Sequence, residues 1–321
     1  MQTELQITRR MFLLAAGGTL AAARAVGADE VRPPVTAAVF TPDGQRLVTG
    51  SQAGIRVLDW PSLKPAGSIS TQLSHVHDLV FSADGNQLAA VGGRPADEGT
   101  LELYRWPESG PEQHLLLHDD LIYAAAPLPQ HRWATASADG RVKVLDSDGV
   151  VVQTLTGHAK GVLAAVALPD GATLVTAGLD QSLRVWDAET GELKRTLAIH
   201  TGAVRGLAVR PSERRPAHPY VASISEDRTV RLWQPTIGRM VRFARLPVAP
   251  LSVAWTPDGR HVAAGCRDGR VRVIDPDTVE VVEEHVAGSG HVWSLAAHPL
   301  RPQFAAGGSD GNMTRVTVEP P

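Results

Sequence analysis

Cysteine is nearly missing from this chain. Cys266 stands alone in 321 residues, so no disulfide can form within the chain and no paired-cysteine motif can attach a haem. Neither sign of charge is in excess, with 31 Lys and Arg against 34 Asp and Glu. That balance leaves no electrostatic footprint for a nucleic-acid backbone, and no nucleic-acid partner is expected. The apolar stretch from Met11 to Ala23 is diluted by Gly17 and Gly18 and is too short to span a bilayer comfortably, so no stable membrane span is expected. After residue 34 no segment keeps the spacing of a helix. What the chain does have is glycine (30) and proline (23), spread as turn punctuation rather than gathered into a linker.

Seven anchor residues recur at intervals of 40 to 46 positions: Val35, Val76, Ile122, Val162, Val204, Pro250 and Val292. Each opens a short apolar run that ends in a turn, and Pro42-Asp43-Gly44, Ala83-Asp84-Gly85, Pro169-Asp170-Gly171 and Pro257-Asp258-Gly259 supply that turn in four units. Proline presets one turn dihedral and glycine accepts positive φ at the corner. Second and third runs follow, as in Leu174–Gly178 and Leu183–Asp187. Such alternating runs read as antiparallel strands. A unit of several short strands cannot bury both faces alone, so neighbouring units must stack. Four strands per unit, seven times, predict an all-β fold: a closed radial array of seven antiparallel blades.

The residues Gly157-His158, Thr176, Asp180 and Trp186-Asp187 resemble the unit motif of the WD-repeat β-propeller family in identity and spacing. The resemblance implies a hydrogen-bonded tetrad of His158, Thr176, Asp180 and Trp186 inside the fourth blade. It implies a second tetrad of His200, Ser223, Asp227 and Trp233 in the fifth, and a partial one of His118, Thr135 and Asp139 in the third, where Leu145 replaces the Trp. The physics agrees, because indole, hydroxyl, imidazole and carboxylate groups need partners once removed from water. Elsewhere the set has decayed, with Ala264 and Ile274 flanking Asp268 and Ala306 and Val316 flanking Asp310. The expected blades are about 35–69, 70–117, 118–155, 156–197, 198–244, 245–285 and 286–321, within a propeller domain spanning 29–321. The last unit shows only three runs, so its blade is expected to have three strands or a stub from Asp29–Arg32. The second unit carries a longer loop, Gly92 to Gly99, and the fifth inserts a basic, proline-rich loop, Ser212 to Pro219.

Residues 1–28 do not fit the repeat. Thr8-Arg9-Arg10-Met11-Phe12-Leu13 resembles a twin-arginine export signal, with cleavage expected after Ala28. Together with the long loop of the second unit, this resembles exported bacterial WD-repeat domains and implies a periplasmic or otherwise exported protein.

Candidate chemistry is sparse. His158, Thr176 and Asp180 have the residue types of a hydrolase triad, but the set recurs in the fifth unit beside a Trp, which favours a structural role. His75 and His77 sit two apart on one strand and begin a metal site for which no third ligand is placed. Gly92-Gly93 and Gly307-Gly308 precede no helix that would present amides to a phosphate. Asp119-Asp120 is an isolated acidic pair. No catalytic residue, metal or cofactor is therefore assigned.

In the WD-repeat family the residues beside each anchor and before each tetrad Asp commonly contact partners. Carried over by position, these are Thr36, Gln52, His75, His77, Tyr123, Leu163, Leu179, Arg205, Glu226, Leu251, Arg267, His291, Trp293 and Ser309. Trp293 lies outside any tetrad and reads either as a contact residue or as a plug for the channel mouth. The expectation is a non-enzymatic, monomeric, exported scaffold that binds protein partners through a preformed face. The alternatives are a periplasmic propeller enzyme or cofactor-binding oxidoreductase, and a small-ligand sensor using the central channel.

Overall fold

The computed structural model describes residues 32–211 and 218–319. The segment 1–28, most of the expected stub Asp29–Arg32, and residues 212–217 of the Ser212–Pro219 insertion lie outside the described residues. Among the described residues are six four-stranded antiparallel sheets and one three-stranded sheet, each built from consecutive strands. The seven-bladed, all-β reading holds, the last blade has three strands, and a single 3₁₀ turn at Pro235–Ile237 is the one helical element described. No helix among the described residues is long and apolar enough to cross a membrane.

Six of the seven anchors are the first residue of a blade's inner strand, and in the first blade that strand starts at Ala37, two residues after Val35. The expected loop of the second unit is instead an extension of its hairpin: Gln87–Arg94 and Glu98–Arg105 pair up to Arg94 and Glu98, with Gly93 opposite Gly99. A side chain on Gly93 would collide with the Glu98 carbonyl and its φ is +132°, so glycine there lets the two strands stay close.

The core lies between blades. In four blades an aliphatic residue at the end of the outer strand shares a core cluster with the third strand of the next blade: Leu155 with Trp186, Leu197 with Trp233, Ile69 with Tyr104, and Leu246 with Ile274. Burying such a side chain contributes about 1.5–3 kcal/mol, so the apolar end of each of these outer strands binds neighbouring blades together.

Side chains near the channel add inter-blade bonds. Thr36 Oγ1 donates to the Val76 carbonyl (2.6 Å), Ser252 Oγ to that of Val292 (3.1 Å), and Ser294 Oγ to that of Val35 (3.2 Å). At these same seams the preceding blade carries glycine, and a methyl at Gly50, Gly265 or Gly307 would sit 2.5, 2.6 or 3.0 Å from Val76, Val292 or Val35. The small residue lets the next anchor approach, and the hydroxyl ties it there. The ring is closed by Ser294, by Val35 N–H on the Gly308 carbonyl (3.2 Å), and by an apolar cluster of Phe40, Trp60, Ala296 and Ala305.

Candidate partner-binding site

The tetrad residues are buried scaffolding. His158 Nδ1 lies 2.9 Å from Asp180 Oδ2, His158 Nε2 lies 2.9 Å from Thr176 Oγ1, and Trp186 Nε1 donates to Thr176 Oγ1 (2.8 Å). The fifth blade repeats this with His200, Asp227 (2.7 Å), Ser223 (2.7 Å) and Trp233 (2.8 Å). In the third blade His118 meets Asp139 (2.9 Å) and Thr135 (3.0 Å), and Leu145 stands in place of the indole. Burial holds all three imidazoles below their usual pKa, so they are neutral. Burial alone would raise the Asp180 carboxyl, but His158 and N–H donors hold it down and it stays ionised. The proton direction follows: indole N–H to hydroxyl oxygen, hydroxyl to Nε2, and Nδ1–H to carboxylate. Thr135, Thr176 and Ser223 are 0% exposed. A hydroxyl so enclosed cannot meet a substrate.

A cation flanks this set. Arg184, Arg231 and Arg272 each sit four residues after the blade's Asp, at 3.8, 3.3 and 2.6 Å from its carboxylate. In the sixth blade, where His, hydroxyl and Trp are all lost, Arg272 also pairs with Glu284 (2.8 Å). The second blade reverses the charge. Glu102, fully buried, occupies the register position of Arg184 and accepts from Tyr104, from Thr71 Oγ1 (2.6 Å) and from the Gln72 N–H (2.9 Å), with His114 Nδ1 at 2.9 Å. Sequence reasoning missed this network. Its signal was Glu102 two residues before Tyr104, as Arg184 is two before Trp186.

The exposed site is assembled by β-bulges. In six blades the register skips the residue after the anchor: His77, Tyr123, Leu163, Arg205, Leu251 and Trp293. A bulged residue is left out of the ladder and its side chain is re-aimed. All six, with Leu179, line one cavity of about 270 Å³ at the channel mouth. The first blade has no bulge between its two inner strands, and Thr36 lines the channel, about 190 Å³, with its hydroxyl bound to Val76.

The other face residues flank this mouth unequally. His75 stacks on His77 at 4.4 Å, and His77 meets the edge of Tyr123 at 5.0 Å. Burial, then the neighbouring His75, pushes His77 down to about 4, so this aromatic group is uncharged at neutral pH. In the seventh blade Trp293 stacks on His291 at 5.1 Å, and its indole donates to Ser309 Oγ (3.0 Å). Trp293 is 37% exposed and Leu179 39% exposed. Glu226 Oε1 accepts from Arg205 (2.9 Å) and Arg267 (3.0 Å), which holds its carboxyl below the usual range. Gln52 is exposed and lines neither cavity. One residue of the channel wall was not foreseen. Asp78 accepts the N–H groups of Leu79 (2.9 Å) and, across the seam, Ala125 (3.1 Å). Burial nevertheless raises its carboxyl to about 6. Among the described residues no group of three or more His, Cys, Asp and Glu side chains is placed to hold a metal ion.

Comparison with known proteins gives this geometry a context. The family described as WD domain, G-beta repeat matches residues 149–187, 191–234, 247–275 and 279–314. WD repeat-containing protein VIP3 of Arabidopsis thaliana is 30% identical over 211 residues, 60% of this chain and 64% of that protein. Protein hir-1 of Neurospora crassa is 26% identical over 256 residues, 70% of this chain but 22% of that protein. The chain thus spans less than two thirds of either relative. These relatives come from a plant and a fungus, which have no bacterial periplasm, and they overturn the expected periplasmic or exported location. Nothing in them supports the bacterial, exported type or the twin-arginine signal. The chain is a seven-bladed β-propeller, and four stretches of it between residues 149 and 314 match the WD-repeat family model.

Proposed function

We propose that this propeller is a non-catalytic scaffold that recognises protein partners at the channel mouth. The observation carrying this reading is the convergence of six bulged side chains, one from each of six blades, on one cavity. A bulge gives up ladder pairing, and here the re-aimed residues are His, Tyr, Leu, Arg, Leu and Trp rather than small polar ones. Trp, Tyr and Arg are the side chains that most often anchor interfaces. The mouth is built from paired strands, so little order must be gained on binding. Hydroxyls of triad-like composition are enclosed in three blades, which favours a structural use for them. No nucleic acid, metal or cofactor is invoked, and the propeller acts as a monomer.

The test is capture of a partner from native extract by the immobilised protein. Trp293→Ala and Leu179→Asp should each abolish capture while the melting temperature barely moves. Undiminished capture by both would sink the reading. A stoichiometric metal or chromophore in the purified protein, found by elemental analysis and absorbance, would revive the enzyme alternative.

A further inference from the structure

We propose that the mouth takes a short linear segment of a partner protein, inserting one bulky apolar side chain and setting an adjacent carboxylate against Arg205 and Arg267. The inference rests on the mouth being the recognition surface. Its apolar half follows from the lining. Leu163, Leu179, Leu251 and Trp293 face one cavity of about 270 Å³. That is just under the ~300–1,000 Å³ common for cofactor and drug-sized ligands. The space suits a single large side chain, whose apolar surface the leucines and indole would cover.

The acidic half follows from unequal compensation of charge around the rim. Each guanidinium carries five N–H donors. Arg205, through two of its nitrogens, and Arg267, through one, converge on the single oxygen Oε1 of Glu226. Two cations therefore share one carboxylate, and neither has another acceptor among the described residues. Two blades away, Asp120 Oδ1 accepts the N–H groups of Ala96 (2.8 Å) and Leu121 (2.8 Å). Burial raises the Tyr123 phenol above its ordinary pKa, with Asp120 adding to that shift and Arg205 opposing it. A segment crossing the mouth thus meets an under-compensated positive pair at Arg205 and Arg267. A carboxylate beside the inserted side chain completes the Arg205–Glu226–Arg267 group with charge-assisted bonds. A lysine there would face two guanidiniums, so the same feature repels basic segments.

The experiment is panning of a random linear peptide library on the purified wild-type protein, Arg267→Glu and Trp293→Ala. Wild type should enrich a large apolar residue next to Asp or Glu. A synthetic peptide of that consensus should bind Arg267→Glu about tenfold more weakly. Its acid-to-Lys version should recover binding to that variant. Wild-type binding should also weaken as salt rises from 0.05 to about 0.5 M, a readout independent of any variant. Apolar-anchored peptides without acidic preference, lost on Trp293→Ala, would overturn this proposal and leave the mouth as the recognition surface. No enriched peptide, or peptides indifferent to Trp293→Ala, would overturn both.

Discussion

Replacing Thr176 by valine keeps the shape of the side chain and removes one hydroxyl. That oxygen receives the Trp186 indole N–H at 2.8 Å and faces His158 Nε2 at 2.9 Å, in a site with no exposure. Valine leaves a buried donor and a buried acceptor without partners, each costing about 1–3 kcal/mol. The expected loss is about 3 kcal/mol, within about 2–5 kcal/mol. Thr135→Val in the third blade is the internal control. There Leu145 replaces the indole, so no indole N–H is stranded; His118 Nε2, 3.0 Å away, loses its partner, along with a long 3.4 Å contact to the Lys143 carbonyl. Its expected cost is about 1–2 kcal/mol. Thr176→Ser keeps the oxygen and should cost about 1 kcal/mol or less, for the lost methyl. Urea unfolding followed by tryptophan fluorescence gives the ranking, provided m stays constant across the set. A loss below about 1 kcal/mol for Thr176→Val, or equal losses at Thr176 and Thr135, would refute the hydrogen-bond reasoning.

Three further outcomes follow from the same geometry. Gly307→Ala should destabilise by about 1–3 kcal/mol through overpacking, because the new methyl would collide with Ser294 Oγ and lie 3.0 Å from Val35 at the closing seam; a melting temperature equal to wild type would show that the seam yields. Arg272→Met leaves Asp268 without its cation and Glu284 with Arg270 alone, and because both carboxylates reach solvent it should cost about 1–3 kcal/mol in urea unfolding. An unchanged midpoint would mean that solvent already screens the pair. The third concerns pH. His118, His158, His200 and His77 all have folded pKa values below the ordinary 6.5, so below about pH 6.5 the unfolded chain binds more protons and stability should fall with acidity. Asp78, raised to about 6, acts in the opposite sense between its ordinary 3.8 and 6 and blunts the slope. Urea midpoints that rise from pH 7 to pH 5 would contradict the neutral, buried state of these imidazoles.

Local chemistry made much of the fold legible. Six anchors predicted to open inner strands do open them, because strand alternation and turn residues act over a few neighbouring positions. The fourth and fifth blades could be read for their internal contacts, since Trp186 and Thr176 fall ten residues apart on paired strands whose register the turn fixes. The longer loop expected at Gly92–Gly99, where other units have a tight turn, is instead a hairpin whose strands pair on to Arg94 and Glu98. The face residues came from resemblance to a family, not from their own chemistry. Glu102 escaped notice because its four partners come from three stretches of chain.

The sequence by itself determined the blades: their number, their turns and which of them carry a Trp-centred hydrogen-bond set. Only the tertiary structure decided what the blades do together. Arg205 and Arg267 share Glu226 across a seam, and Ser294 reaches Val35 across 259 positions of sequence. Six side chains meet in one mouth because each strand slips by one residue there. Turn and strand preferences are settled between near neighbours in the chain, whereas a bulge and a seam contact are settled by what lies beside them in the ring.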